Sequence, residues 1–175
     1  MEFKLLIKKA RKGDKDALLQ LIMAQQADYY RLAYVYMRNK EDALDALQDM
    51  IIILYRNIFR LKKEESFYSW SRTILVNCCK NKLRNQNKNT SFYQVEDEAV
   101  DGVYMESEDR IVLEKHLSGL SEIHREVIRL RYFLDMDYQT ISEILKIPVG
   151  TVKSRLNLGM KKLKESFGGD IDGEY

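Results

Sequence analysis

Three stretches of this chain space polar side chains so that they could do chemistry together, and in each the chemistry is recognition by charge and hydrogen bonding. The first runs from Val149 to Lys164 and carries Gly150, Thr151, Lys153, Ser154, Arg155, Asn157 and Lys161. Lysines and arginines at helical spacing neutralise phosphates, while short Thr, Ser and Asn side chains hydrogen-bond base edges. The second, Ser66–Lys88, holds five basic residues, no acid, and the aromatics Phe67, Tyr68 and Trp70. Rings beside a basic groove are what single-stranded nucleic acid requires, with bases stacking on the rings and cations following the phosphates. The third is a stripe of Asp45, Gln48, Asp49 and Ile52 along one predicted helix. Taken by itself such a stripe reads as a solvated helix face. No phosphate-cradling loop, metal-protease motif or nucleophile–base constellation is present, so the chain is read as a non-enzyme.

The elements that position these residues are helices. Asp137 is placed to cap a helix whose apolar residues Ile141, Ile144 and Leu145 repeat at three- and four-residue spacing. Ile147-Pro148 stops it, and Pro148 suits the first turn of the next. There Val152, Leu156, Met160 and Leu163 share an inward face, which turns Ser154, Asn157, Leu158 and Lys161 outward with Lys153 and Arg155 on the flanks. Two helices joined by a tight turn make a helix-turn-helix, whose second helix enters the DNA major groove. Periodicity alone leaves a second reading open, an ordinary helical hairpin with a solvated basic face.

Upstream, Phe3–Lys12 reads as a short amphipathic helix ended by Gly13, with Asp14 capping a long helix from Leu18 to Met37 that Asn39 closes. Ala43, Leu47, Met50, Ile51, Leu54, Tyr55 and Ile58 continue the helical spacing, with the Asp45–Ile52 stripe on another face. Ser66 is placed to cap the aromatic-basic stretch. Trp70 and Ile74 are expected in the core, leaving Arg72, Asn77, Lys80, Asn81 and Arg84 exposed for contact. Leu113, Leu117 and Leu120 then form one face, and Ser121 is placed to cap the helix that follows.

One proline and eight glycines in 175 residues, with almost no alternating apolar runs, make the chain all-α. Cys78 and Cys79 are neighbours, read as buried or half-buried reduced thiols, and His116 and His124 show no metal spacing, so neither metal nor cofactor is expected. No apolar run reaches the roughly 20 residues that span a bilayer, and the start is too short and charged for a signal peptide, which implies a cytoplasmic protein.

The net charge of +2 conceals alternation. Residues 1–88 hold 18 Lys/Arg against 10 Asp/Glu; residues 89–112 hold one against seven; residues 113–168 hold ten against seven; and 169–175 add three acids. The expected organisation is therefore two small helical domains, 1–88 and 113–168, joined by a flexible acidic linker, 89–112, with an acidic tail, 169–175. Two basic blocks separated by an acidic connector indicate a polyanionic partner.

Val149-Gly-Thr-Val-Lys-Ser-Arg-Leu156, followed by Lys161-Lys-Leu163, resembles the final helix of bacterial sigma factors of the sigma-70 family, specifically the alternative, extracytoplasmic-function group. Ala43, Asp45, Gln48 and Asp49 are similar to the family's most typical polar motif, and Trp70, Ile74 and Asn77 fall on its Trp–Ile–Asn pattern. Leu120-Ser121, Arg125, Val127 and Leu130–Tyr132 resemble the segment just before the promoter-reading motif.

The resemblance implies a protein that binds core RNA polymerase and directs promoter-specific initiation, in a stress or envelope response. Asp45, Gln48, Asp49 and Ile52 would meet the polymerase clamp. Arg72, Asn77, Lys80, Asn81 and Arg84, with the loop from Arg60 to Phe67, would recognise and melt the minus-ten element. Gly150, Thr151, Lys153, Ser154, Arg155, Asn157 and Lys161 would read the minus-thirty-five element. The acidic connector would thread the polymerase cleft, or serve as a mere tether. The implied partners are core polymerase, promoter DNA and a cognate anti-sigma factor, often membrane-embedded in the family, with no small-molecule substrate. Leu44 departs from the pattern, standing where an acid is usual. Two rivals remain at this level. A free-standing helix-turn-helix regulator leaves Asp45–Asp49 and Trp70–Asn77 unexplained, and a protein-only interaction module leaves both basic surfaces unexplained.

Overall fold

The computed structural model describes residues 2–89 and 108–171. The described residues are helical or in turns and short connections, with no strand among them, and they fall in two compact units, residues 2–89 belonging to the first and 108–171 to the second.

The first unit contains α1 (Glu2–Arg11), α2 (Lys15–Met23), α3 (Gln26–Met37), α4 (Lys40–Asn57) and α5 (Phe67–Asn89). Gly13 adopts a φ of 96°, which turns the chain after α1, and Asp14 caps α2 by accepting a 3.0 Å hydrogen bond from the Ala17 amide. The long helix expected from Leu18 to Met37 is two helices, broken at Gln25, whose backbone (φ −124°, ψ 18°) leaves helical geometry. The physical reason is that the two halves have different partners. Ala17, Leu18, Leu21 and Ile22 bury against α1, whereas Tyr29, Leu32, Ala33 and Met37 bury against α4 and α5.

The end of α3 also differs from expectation. Arg38, not Asn39, closes it in the left-handed conformation (φ 62°), and Asn39 instead caps α4, accepting from the Asp42 amide at 2.8 Å. Short 3-10 turns, Ile58–Arg60 and Glu64–Ser66, lead into α5, whose first residue directly follows Ser66.

In α5 the buried line is Phe67, Ser71, Leu75, Cys78 and Cys79, while Trp70 and Ile74, expected in the core, are half-buried. The line is fixed by a polar pair: the Ser71 hydroxyl donates to the Tyr68 carbonyl (3.0 Å) and so accepts from Tyr29 Oη at 2.6 Å. Burial pushes the Tyr29 phenol up to about 12, leaving it a neutral donor.

The second unit contains α6 (Glu108–Ser118), α7 (Glu122–Ile128), a turn of π-helix (Arg129–Phe133), α8 (Tyr138–Leu145) and α9 (Val149–Ile171). Helix α6 begins inside the stretch expected to be an extended connector, and α9 continues past residue 168; residues 90–107 of that connector and 172–175 of the tail lie outside the described residues. Leu117, Val127, Leu130, Ile141, Ile144, Val152, Leu156 and Leu163 form the core. Arg129 and Glu114, both largely covered, pair at 2.7 Å across α6 and the π turn. Ser121 sits at the N-cap of α7, but its hydroxyl meets His124 Nδ1 at 2.8 Å and caps no amide. Asp137 does cap α8, accepting from the Thr140 amide at 2.7 Å, and that bond holds its carboxyl below the usual range.

Candidate nucleic-acid interface

The tight turn between α8 and α9 is built from Lys146, in the left-handed conformation (φ 53°), and Pro148, whose carbonyl accepts from the Thr151 and Val152 amides. Pro148 thus precedes the first helical residue, where its missing amide removes no helical bond. Ser142 Oγ locks the turn by donating to the Ile147 carbonyl at 2.6 Å.

On α9, Val152, Leu156 and Leu163 are buried and Met160 half-buried, so the outward face is the one the spacing predicts. Gly150, Lys153, Ser154, Asn157 and Lys161 are exposed, while Thr151 and Arg155 are half-buried at its edges. Ser154 Oγ donates back to the Thr151 carbonyl at 3.1 Å. Lys153 Nζ and the Arg131 guanidinium lie 5.6 and 5.4 Å from the Tyr138 ring, gathering two cations from two elements at one aromatic side chain.

Gly159 was not singled out from sequence, although a glycine on the inward stripe of a helix is a legible mark of close packing. A Cβ there would stand 3.0 Å from Ile128 Cδ1 and 3.2 Å from His124 Cβ, so α7 and α9 approach closely enough that a side chain at 159 would have to push its neighbours back by a few tenths of an ångström. His124 is buried at this crossing. Desolvation, reinforced by Lys162 and Arg155, lowers its pKa from the ordinary value.

In the first unit, Asp45, Gln48, Asp49 and Ile52 are all exposed on one stripe of α4. Leu44, Ile51, Ile53 and Tyr55 are exposed beside them, giving the acidic stripe apolar margins. Sequence reasoning missed the partner of the acids. Lys82 of α5 places its Nζ 3.4 Å from Asp49 and 3.9 Å from Asp45, and Gln86 donates to Asp42 at 2.9 Å.

The structure brings together four of the five basic-helix candidates. Asn77, Lys80, Asn81 and Arg84 recur at three- and four-residue spacing on the side of α5 turned away from Lys82, and Arg84 donates to Asn81 at 3.0 Å. Arg72 does not join them; it is half-buried and donates to Gln25 Oε1 at 3.3 Å. Cys78 and Cys79 lie buried, their thiols pushed up to about 11 and about 12 by desolvation, so both stay protonated.

Residues 21–89 match the family described as sigma-70 region 2, and residues 110–163 match sigma-70, region 4. Among curated proteins, the ECF RNA polymerase sigma factor SigW of Bacillus subtilis is 29% identical, the alignment spanning 95% of this chain and 97% of SigW. RNA polymerase sigma factor SigV of the same organism is 30% identical over 89% of this chain and 94% of SigV. The ECF sigma-E factor of Haemophilus influenzae is 30% identical over 86% and 87%.

Two solved structures share the fold. CnrH, in complex with the cytosolic domain of CnrY, superposes with a TM-score of 0.70 at 18% identity, covering 97% of this chain and 99% of CnrH. RpoE of Bartonella quintana, in complex with the anti-sigma factor NepR, superposes with a TM-score of 0.68 at 22% identity, covering 85% and 94%. Two family regions in order, with full-length relatives near the 30% level, establish that this chain belongs to the sigma-70 family, within the ECF group, and that it serves promoter-specific initiation of transcription.

Proposed function

We propose that the two units divide the work of promoter recognition, residues 1–88 binding core polymerase and the minus-ten element and residues 113–168 reading the minus-thirty-five element, with 89–112 as connector. The observation that carries this reading is the first unit's pair of opposed surfaces. The exposed Asp45–Gln48–Asp49–Ile52 stripe of α4 is acidic with apolar margins, and the Asn77–Lys80–Asn81–Arg84 stripe of α5 is basic and polar. One surface suits a basic coiled coil of polymerase and the other a DNA strand. Lys82 ties α5 to α4, so a protein bound on one side bears on the helix that meets DNA on the other.

On α9, Lys153, Arg155 and Lys161 neutralise phosphates and Thr151, Ser154 and Asn157 reach base edges, with Gly150 admitting close backbone approach. Arg72 acts from the packed side, steadying the α2–α3 turn through Gln25. The chain catalyses no reaction of its own; the polymerase supplies the chemistry. It works in the cytoplasm, where that enzyme is. No described helix is long and apolar enough to cross a membrane. A further partner is an anti-sigma factor, as in the complex of RpoE with the anti-sigma factor NepR; CnrH is likewise seen with the cytosolic domain of CnrY.

In-vitro transcription with bacterial core polymerase on a pool of genomic promoter fragments tests the reading. Discrete start sites that need both the core enzyme and this protein are expected. Tight, specific duplex binding by the protein alone, with no core-dependent initiation, would overturn it in favour of a free-standing regulator.

A further inference from the structure

Helix α1 lies ahead of residues 21–89, the part of the chain that matches sigma-70 region 2, and none of its residues has been given a role. Its inward residues Ile7 and Ala10 are buried, which docks it on the unit. Beyond its packing on α2, its side chains Phe3, Lys4 and Lys8 reach one place, residues 64–68 of the segment from Arg60 to Tyr68. Lys4 Nζ meets Glu65 Oε1 at 2.9 Å, and Lys8 Nζ lies 4.0 Å from Glu64 Oε1. The Phe3 ring stacks on Tyr68 with centroids 5.2 Å apart and meets Phe67 edge-on at 6.5 Å.

That segment is held at two buried points, Leu61 and Phe67, with the residues between them mostly exposed. Between the two 3-10 turns Leu61 is buried, but Lys62 and Lys63 are exposed, and the turns themselves are three residues each. The exposed stretch between those two points has conformational freedom, and ordering it on a DNA base costs entropy. Two ion pairs and a ring stack from a packed helix remove part of that cost before the DNA arrives.

We infer that α1, through Phe3, Lys4 and Lys8, is the positioning element of the loop from Arg60 to Phe67, and that promoter-strand selectivity at the minus-ten element depends on it. The inference rests on the reading that this loop meets the minus-ten strand. The three side chains touch protein rather than DNA, so their role is preorganisation. The Lys4–Glu65 pair is reversible in sign, which makes it testable as a unit: reversing either charge opposes the other, and reversing both rebuilds the attraction.

The experiment uses the full-length protein with bacterial core polymerase and a promoter library randomised across the minus-ten element. Its readouts are base preference, open-complex formation and affinity for core polymerase. Lys4→Glu and Glu65→Lys are each expected to flatten the base preference and lower open-complex formation by about five-fold, the upper range for an exposed ion pair. The Lys4→Glu/Glu65→Lys double variant should recover most of the loss, and core affinity should stay unchanged throughout. Phe3→Leu, which keeps an apolar side chain but no ring, should flatten the preference in the same direction.

Unchanged preference in Lys4→Glu and Phe3→Leu, or no recovery in the double variant, would overturn the inference. Lys62→Ala/Lys63→Ala separates the two levels of the argument. A shifted preference there with none from α1 rejects bracing alone, whereas no shift in either rejects the loop reading and the inference with it.

Discussion

Lys82 on α5 holds its ammonium 3.4 Å from the Asp49 carboxylate on α4, joining the helix proposed to meet promoter DNA to the helix proposed to meet polymerase. The same ammonium reaches Asp45 at 3.9 Å, one turn earlier on α4, so a single cation offsets the mutual repulsion of two acids. All three groups are in part exposed, and water screens such pairs. Lys82→Met should therefore cost less than about 1 kcal/mol of stability, and the loss should shrink as ionic strength rises. Thermal denaturation at low and high salt checks it. A loss independent of salt would mean that the lysine acts by packing its stem.

Gly159 gives the sharpest prediction in the second unit. Alanine has the better helix propensity, by about 1 kcal/mol, but its methyl would press on His124 Cβ at 3.2 Å, an atom fixed to the α7 backbone. Overpacking of this kind costs about 1–3 kcal/mol. We expect Gly159→Ala to destabilise the unit on balance, read by urea denaturation. A stabilised variant would show that α7 can yield.

His124 makes stability depend on pH with a definite sign. Burial, with Lys162 and Arg155 nearby, lowers its pKa in the fold, so the folded state favours neutral imidazole. Above the ordinary value of 6.5 both states are neutral and nothing is lost. As pH falls through that value the unfolded chain takes up the proton first, and stability declines until the folded histidine titrates as well. Unfolding curves from pH 8 to pH 5 should show the decline in the parent and a shallower one in His124→Gln. Identical slopes would remove His124 from the account.

Contacts along α9 should sort by type. Lys161→Ala should weaken binding evenly across promoter sequences and reduce the salt slope by about 1. Asn157→Ala should instead change base preference, with discrimination lost by about 1–3 kcal/mol at one position. Binding to a randomised minus-thirty-five library at several salt concentrations tells them apart. An even effect from Asn157→Ala would place that side chain on the backbone.

Local signals in the sequence carried much of the fold. The caps Asp14 and Asp137, the turn at Gly13 and the inward line Val152–Leu156–Leu163 each follow from a few neighbouring residues, and each is where its spacing puts it. What was illegible depends on partners distant in the chain. The break at Gln25 has no Gly or Pro to mark it, and arises because α2 and α3 pack on different helices. Trp70 and Ile74 have core spacing, yet the Tyr29–Ser71 hydrogen bond, spanning 42 residues, rotates a neighbouring line inward. Arg72 looks like a free cation until Gln25 is seen beside it. Lys82 reads as one more basic residue until α4 supplies two carboxylates.

The two cysteines of the chain, Cys78 and Cys79, both lie in the first unit, covered and protonated. Thiolate, not thiol, is the species that alkylating reagents attack. Labelling therefore waits on exposure of α5, and its rate reports the opening of one unit without contribution from the other. The chain thus contains a built-in chemical clock for the half proposed to bind polymerase, readable by mass spectrometry while the protein sits free, on DNA or under a partner.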